Sequence, residues 1–433
     1  MKELSNSPSL IDVAQLRIGM FVHLDGGWMS HPFPLSSFKI GSSAQIATIR
    51  SLGKQRVRWS PEKSDQTAIE SIAAPSSPPP EAVPVAAAPA VPVETPEAAE
   101  RRLRREALLA QRASLQLCEH QFAEATRACK HATEQVILKP QQAREQTEAL
   151  AQAFVDKMLG EQEMCIRLLT EGAGDKASLH AVNVAVISLL MGKTFGLSAA
   201  EMVDLGVGAM LHDIGKIELP ERVRHREEHF TPAETQFYQE HVSHGVTLAK
   251  KMSLKPGATL VIAQHHEHAD GSGFPLKLNS DRMTTAARIV SLVNRYDNMC
   301  NPNVPSRSLT PHEALSLLFA QGKNRYDTAI LGAFIKMMGV YPPGSVVQLT
   351  DDRYAMVVSV NSARPLKPRV MVHEPRVSRD EALLLNLEYD PRLGIRRSLK
   401  PQQLPPESLE YLSPRIRVAY FFEPDTSVME TTP

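Results

Sequence analysis

Hydrophobic and polar positions change their period along this chain, and the changes mark its parts. Between about residues 10 and 60 the apolar residues come in short runs. Val13 to Leu24 is one such run, interrupted at Gly19 and followed by the turn signal Asp25-Gly26-Gly27, and an aromatic patch follows at Trp28, Phe33, Phe38 and Trp59. Short apolar runs bounded by glycine predict strands. Residues 1–72 are therefore expected to form a small β-rich N-terminal domain. Residues 73–99 are Pro, Ala, Val and Glu with almost nothing else. Such a segment buries too little surface to offset its ordering entropy, which predicts an extended flexible linker.

Residues 100–140 are expected to form a long charged helix, because from Pro96 to about Leu138 the chain is rich in Ala, Glu and Arg with no further Gly or Pro. The run Arg101-Arg102-Leu103-Arg104-Arg105 reads as a solvated helix face, since no aromatic residues interleave it. Residues 141–340 keep a helical period, and three helix starts are legible. Ser198-Ala199-Ala200-Glu201, Thr231-Pro232-Ala233-Glu234 and Thr310-Pro311-His312-Glu313 are capping boxes, the last two with proline at the first helical position. Beyond Gly339 the pattern turns to alternation, at Ser345 to Leu349 and Tyr354 to Val360 with Asp351-Asp352 between them. That predicts a hairpin within a β appendage over 341–424, followed by a disordered tail at 425–433. The fold class expected is multidomain α+β: an all-α bundle, a small β-rich domain before it and a short β appendage after it.

Bulk composition narrows the function. A length of 433 residues exceeds one compact core. Formal net charge is zero, which argues against a polymeric nucleic-acid binder. No run of about 18–20 apolar residues suggests a membrane span. Residues 1–10 lack the apolar stretch of a secretory signal. The four cysteines have no short paired spacing and read as reduced thiols, so a cytoplasmic location is expected. The long helix leaves a homodimer open, although its heptads are not sustained.

Nine of the fifteen histidines fall between His180 and His268, inside the helical region. His180 opens one helix. His212-Asp213 ends the next, before Gly215 and Lys216. His241 lies in a third, and the pair His265-His266 precedes the Gly-rich loop Asp270-Gly271-Ser272-Gly273-Phe274-Pro275. One bundle thus offers imidazoles and a carboxylate from four helical stretches, a donor set that suits iron, manganese or zinc and disfavours calcium. Two metals about 3.5–4 Å apart lower the pKa of a bridging water and clamp a phosphoryl group for in-line attack. Lys216 is placed to neutralise a non-bridging phosphate oxygen.

These motifs resemble the HD-GYP family, a branch of the HD phosphohydrolases that act on cyclic di-GMP. The matching text is His212-Asp213-Ile214-Gly215-Lys216, His241-Val242-Ser243-His244-Gly245, His265-His266-Glu267 and the loop Asp270 to Pro275, with Phe274 where the family has Tyr. The N-terminal residues Gly19 to Val22 and His31 to Pro34, and the segment Gly339 to Gly344, look like parts of the same subgroup. The resemblance implies hydrolysis of cyclic di-GMP to linear pGpG or GMP at two divalent ions, iron or manganese. It implies metal ligands at His180, His212, Asp213, His241, His265, His266 and Asn294. Asp213 and Lys216 take the catalytic positions, and Lys216, Arg307 and the loop residues Gly273, Phe274 and Pro275 the substrate-binding ones. Diguanylate cyclase domains are the partners it suggests.

Three positions depart from the family pattern. Asn294 stands where the family has its last carboxylate ligand, and Asp297 follows one helical turn later. Lys176 stands where members with a third metal have Glu. The Arg-Pro-Tyr-Arg stretch is replaced by residues 301–307, leaving Arg307 as its cation. Two readings follow: a working phosphodiesterase, and a degenerate member that binds cyclic di-GMP or a partner without turnover. In the first, Asp297 is either a structural carboxylate or a substitute ligand.

Overall fold

The computed structural model describes residues 9–24, 37–51, 55–65, 95–160, 164–169, 175–224, 230–322, 324–361, 364–415 and 417–424. The turn at 25–27, Trp28, His31 and Phe33, nearly all of the linker, and the tail at 425–433 lie outside them. The chain divides into two compact units, Met1–Arg105 and Glu106–Pro433.

The first unit is built as its short apolar runs predict. Strands β1 (Ser9–Asp12), β2 (Phe21–His23), β3 (Ser37–Lys39) and β4 (Arg56–Trp59) form an antiparallel sheet in the order β1-β4-β2-β3. Helix α1 (Ser43–Ser51) contributes Ile49 to a core with Ile11, Leu16, Met20, Val22, Ile40 and Val57.

Helix α2 (Pro96–Gln135) starts at the proline where the helical pattern begins. Its buried positions begin only at Cys118 and recur at Phe122, Ala125, Cys129 and Ala132, so its burial is concentrated in the second half. Helix α3 (Pro140–Gly160) follows, opened by its proline. Then comes a strand the helical period did not announce. Strand β5 (Met164–Leu168) is buried along its whole length. A strand covered on both faces shows no alternation, which hides it among helical residues.

The helical body comprises α4 (Lys176–Thr194), α5 (Ala199–Leu211), α6 (Pro232–Gln239), α7 (His241–Lys251), α8 (Pro256–Gln264), α9 (Thr285–Cys300), α10 (Pro311–Gln321) and α11 (Thr328–Met338). All three expected capping boxes are present, with both reciprocal hydrogen bonds, at Ser198, Thr231 and Thr310. Helix α4 sits at the centre, packed on α5 and α9, and is apolar on nearly every face for that reason. It is the one described helix with the length and composition to cross a membrane, and 78% of that stretch is buried inside the protein.

The C-terminal alternation forms β6 (Val346–Leu349), β7 (Tyr354–Asn361), β8 (Arg369–Val372), β9 (Leu385–Asn386) and β10 (Ile395–Leu399), then helix α12 (Pro406–Leu412) and β11 (Tyr420–Pro424). These strands form the expected C-terminal β part, and their sheet takes in one strand from outside it. The sheet runs β10-β6-β7-β5-β11, with β8 on β7 and β9 on β8, so β5 from before the helical body lies inside it. Tyr420 pairs with Leu168 and Pro424 with Met164. The buried ion pair between Arg167 of β5 and Glu423 of β11, 3.1 Å apart, fixes that register, and Ser114 of α2 donates to the same carboxylate.

Candidate metal centre

Four helix ends converge on one cleft. His180 lies just inside the start of α4. His212 caps the end of α5, Asp213 follows it, and a 3-10 turn spans Ile214–Glu218. His241 opens α7, and His265 caps α8 with His266 next in the chain. Gly215 allows this convergence. A Cβ there would sit 1.9 Å from the His241 carbonyl oxygen and 2.4 Å from the Gly245 nitrogen, so only glycine lets the turn rest on α7.

The rings are oriented by a repeated local device. His212 Nδ1 contacts the Ala209 carbonyl at 2.7 Å, His241 Nδ1 that of Tyr238 at 2.5 Å, and His265 Nδ1 that of Ile262 at 2.8 Å. A carbonyl oxygen only accepts, so each Nδ1 carries the proton and each Nε2 is bare. His180 reaches the same tautomer differently: its Nδ1 donates to Asp297 Oδ2 at 2.6 Å.

All four bare nitrogens point inward. His180 and His212 Nε2 are 3.2 Å apart, and His241 and His265 Nε2 are 3.3 Å apart. Asp213 lies between the two pairs. Its Oδ2 is 3.4 Å from His212 and 3.8 Å from His180, and its Oδ1 is 3.6 Å from both His241 and His265. Facing lone pairs at such distances repel unless a cation lies between them. Asp213 Oδ1 and His266 Nε2 are also buried without a hydrogen-bond partner. Orphaned acceptors of this kind, in mixed imidazole and carboxylate chemistry, fit a divalent metal. Two ligand groups result: His180, His212 and Asp213, and Asp213, His241, His265 and His266.

Electrostatics agree with that assignment. Burial pushes His241 down to about 3 and moves His212 and His266 downward too, keeping the rings neutral. Burial also pushes Asp213 up, but Lys216 and His212 outweigh it and hold the carboxyl well below its usual range. Lys216 Nζ is 2.6 Å from Asp213 Oδ2 and 5.4 Å from the centre of the Tyr238 ring. Burial works against its charge, and Asp213 more than restores it, raising Lys216 above its ordinary value.

The remaining predicted residues divide. Asn294 is buried in α9 on the same cleft, with its Oδ1 accepting from Asn298 at 2.5 Å. Asp297 does not reach round as a substitute ligand, because both its oxygens are engaged, with His180, Asn183 and Asn301. Arg307 lines the cleft, whose volume is about 1070 Å³. Lys176 and Arg417 line it as well, and Arg417 arrives on the C-terminal segment, which no local motif links to the site.

Of the loop residues, Phe274 lines the cleft and stacks on His266 at 4.5 Å. Gly273 and Pro275 are not among the residues of its wall. Gly273 packs instead on the backbone of 266–268, where a Cβ would meet three atoms at 2.5 Å. Glu267, part of the motif His265-His266-Glu267, has no role in the family resemblance as drawn from sequence. It is fully buried, and its carboxylate accepts from Leu276 N at 2.6 Å and Leu278 N at 2.9 Å, tying the loop to the His265-His266 pair. An acid directly after two histidines was the available signal.

Comparison with known proteins matches these parts. Residues 162–330 match the family model of the HD domain, and residues 9–147 match a domain of unknown function, DUF3391. The chain is 26% identical to cyclic di-GMP phosphodiesterase PA4108 of Pseudomonas aeruginosa, over 84% of each protein. It is 23% identical to cyclic di-GMP phosphodiesterase PdeB of Borreliella burgdorferi, over 44% of this chain and 51% of that one. A solved HDG"Y"P protein from Bdellovibrio bacteriovorus aligns at TM-score 0.41 and 13% identity, over 75% of this chain and 97% of that one. With His180, His212, His241, His265 and His266 gathered around Asp213 beside the Phe274 loop, residues 162–330 carry an HD domain, and the chain is similar to proteins named as cyclic di-GMP phosphodiesterases.

Proposed function

We propose that this protein is a metal-dependent phosphodiesterase that hydrolyses cyclic di-GMP to linear pGpG or GMP in bacterial second-messenger signalling, with two divalent ions, iron or manganese, in the site. The observation that carries the reading is Asp213, set between two imidazole pairs whose Nε2 atoms are bare. His180, His212 and Asp213 would hold one ion, and Asp213, His241, His265 and His266 the other, with Asn294 offering its carbonyl. Divalent ions supply Lewis acidity there, lowering the pKa of water and polarising a phosphoryl oxygen.

The chain's own residues do the rest. Lys216 stays protonated beside Asp213 and is the cation for a non-bridging oxygen of the scissile phosphate. Arg307, Lys176 and Arg417 place positive charge on the cleft wall for the second phosphate of a cyclic dinucleotide. Phe274 holds His266 by stacking and excludes water on that side.

Anaerobic purification, a metal count and a cyclic di-GMP assay test this. Turnover that His212→Ala abolishes is the expected result. Absence of turnover with saturating iron or manganese, alongside measurable ligand binding, overturns it in favour of the degenerate reading. A faster Asn294→Asp variant would show that the neutral side chain limits the rate. The same reading includes a cytoplasmic location, a homodimer detectable by sedimentation, and docking of diguanylate cyclase domains at the Phe274 loop. A pull-down unaffected by replacing Gly273 to Pro275 disposes of the last.

A further inference from the structure

Of the five rings at the metal centre, three are set by carbonyls of their own helix ends, and His180 is not. His212, His241 and His265 each donate to a carbonyl three residues earlier. His180 depends on Asp297, 117 residues later in the chain. We propose that the C-terminal segment 418–420, which leads into β11, is part of the metal centre: through the amides of Asn183 and Asn301 it fixes Asp297, and Asp297 fixes the ring of His180. The inference rests on reading His180 as a metal ligand.

Asp297 is wholly buried, and its environment is fully specified. Oδ2 accepts from His180 Nδ1, while Oδ1 accepts from Asn183 Nδ2 and from Asn301 Nδ2, each at 2.9 Å. Each amide nitrogen also donates to the Val418 carbonyl, at 3.0 Å from Asn183 and 2.9 Å from Asn301. Each amide oxygen accepts from the same segment. Asn301 Oδ1 receives Val418 N at 2.9 Å, and Asn183 Oδ1 receives Tyr420 N at 3.0 Å.

This pattern admits one orientation. Turning either amide over would point its NH2 at a backbone N–H and its oxygen at both Asp297 and the Val418 carbonyl. The two asparagines reach this segment from different helices. Asn183 is three residues after His180 on α4, so it shares a face with the ring it supports. Asn301 caps α9, and its own N–H bonds the Asp297 carbonyl at 2.7 Å.

The strand is firmly seated. Beyond the asparagines, β11 pairs residue for residue with β5. The Tyr420 hydroxyl lies 3.3 Å from that of Tyr296, and Phe421 and Phe422 pack edge-on against Phe154. A rigid strand therefore defines where Asp297 sits, and Asp297 decides which nitrogen of His180 is bare. Asn183 and Asn301 act through other groups, so they are positioning residues. The device touches only the His180–His212 side of Asp213 and leaves the His241–His265 side to its local carbonyls.

Manganese titration of the metal-free full-length protein, with bound metal counted after gel filtration, tests this. Asn301→Ala and Asn183→Ala are each expected to weaken, by about tenfold or more, the same metal equivalent that His180→Ala removes, and to spare the other. In a His180→Ala background, Asn301→Ala should change manganese binding less than about twofold, because the link it breaks is already gone. Asp297→Asn nearly preserves shape but turns an acceptor into a donor at His180 Nδ1, and should lose the same equivalent. Equal weakening by Asn301→Ala in both backgrounds, or wild-type stoichiometry in Asp297→Asn, overturns the inference. If an alanine variant does not fold, shown by the absence of a cooperative melt in chelator, the other alanine and the Asp297→Asn variant decide. A wild type that takes up no manganese overturns the metal-centre reading itself, a different outcome from intact binding in the variants.

Discussion

Asp297 Oδ2 lies 2.6 Å from His180 Nδ1, with the carboxylate fully excluded from solvent. Its other oxygen receives two amide donors. Removing that acceptor leaves one N–H of each buried amide and the part-buried His180 Nδ1–H without a partner. Asp297→Ala should therefore cost about 3 kcal/mol of stability in chelator, since one unsatisfied buried donor costs about 1–3 kcal/mol and the loss is shared by relaxation. Urea unfolding in chelator measures it, and a change below about 1 kcal/mol would contradict the hydrogen-bond network as described.

Gly273 meets backbone on three sides. A methyl group there would approach Glu267 Cα, the His266 carbonyl oxygen and His268 N at 2.5 Å, and none of these can swing aside. Gly273→Ala should displace the loop, cost about 1–3 kcal/mol and disturb Phe274 stacking on His266. A thermal melt and a metal count together check both effects.

The cleft cations make a kinetic prediction. Arg307 and Arg417 line the wall, and neither is among the metal-ligating groups. Arg417→Gln should raise KM for cyclic di-GMP about tenfold, while hydrolysis of the single-phosphate substrate bis(p-nitrophenyl) phosphate stays unchanged. Equal losses on both substrates would assign Arg417 to the metal side instead.

A second ion pair predicts acid sensitivity. Asp327 caps α11, accepting from Ala329 N and Ile330 N, and contacts Arg288 at 2.5 Å. Burial pushes its carboxyl up, but the Ile330 N–H, Arg288 and the Ala329 N–H outweigh it and bring it below the ordinary 3.8. A carboxyl depressed in the folded state binds fewer protons than in the unfolded chain. Its stabilisation is complete above the ordinary value and is lost as pH falls through the folded one. Asp327→Ala should cost about 1–2 kcal/mol at pH 7 and progressively less as pH drops below about 3.8. Urea midpoints of both proteins across pH 2.5–7 (roughly the span over which a carboxyl titrates) would show the two curves converging at the acid end. A gap that stays constant would refute the linkage.

Much of the site could be read from the chain because its parts are local. His212-Asp213, His241 and His265-His266 stand at helix ends, and each ring is aimed by a carbonyl three residues away. The capping boxes at Ser198, Thr231 and Thr310 are equally local and hold as expected. Other features left no local trace. The partners of Glu267 are N–H groups nine and eleven residues ahead, which its place after two histidines does not specify, and Gly273, expected at the substrate, packs on the backbone of 266–268. Strand β5, buried on both faces, has no alternation to betray it.

By itself the sequence determined the helical body, three of its helix starts and the order of the candidate metal-binding motifs, because these depend on hydrogen bonds spanning a few residues. Only the tertiary structure decided that β5 and β11 share a sheet, that Asp297 serves His180, and that Arg417 enters the cleft. Those relations join residues more than a hundred positions apart, as in Asn183 to Tyr420 across 237 residues. Such a bond is chosen by the geometry of the packed core, where a buried polar group must find its partner wherever the fold places one.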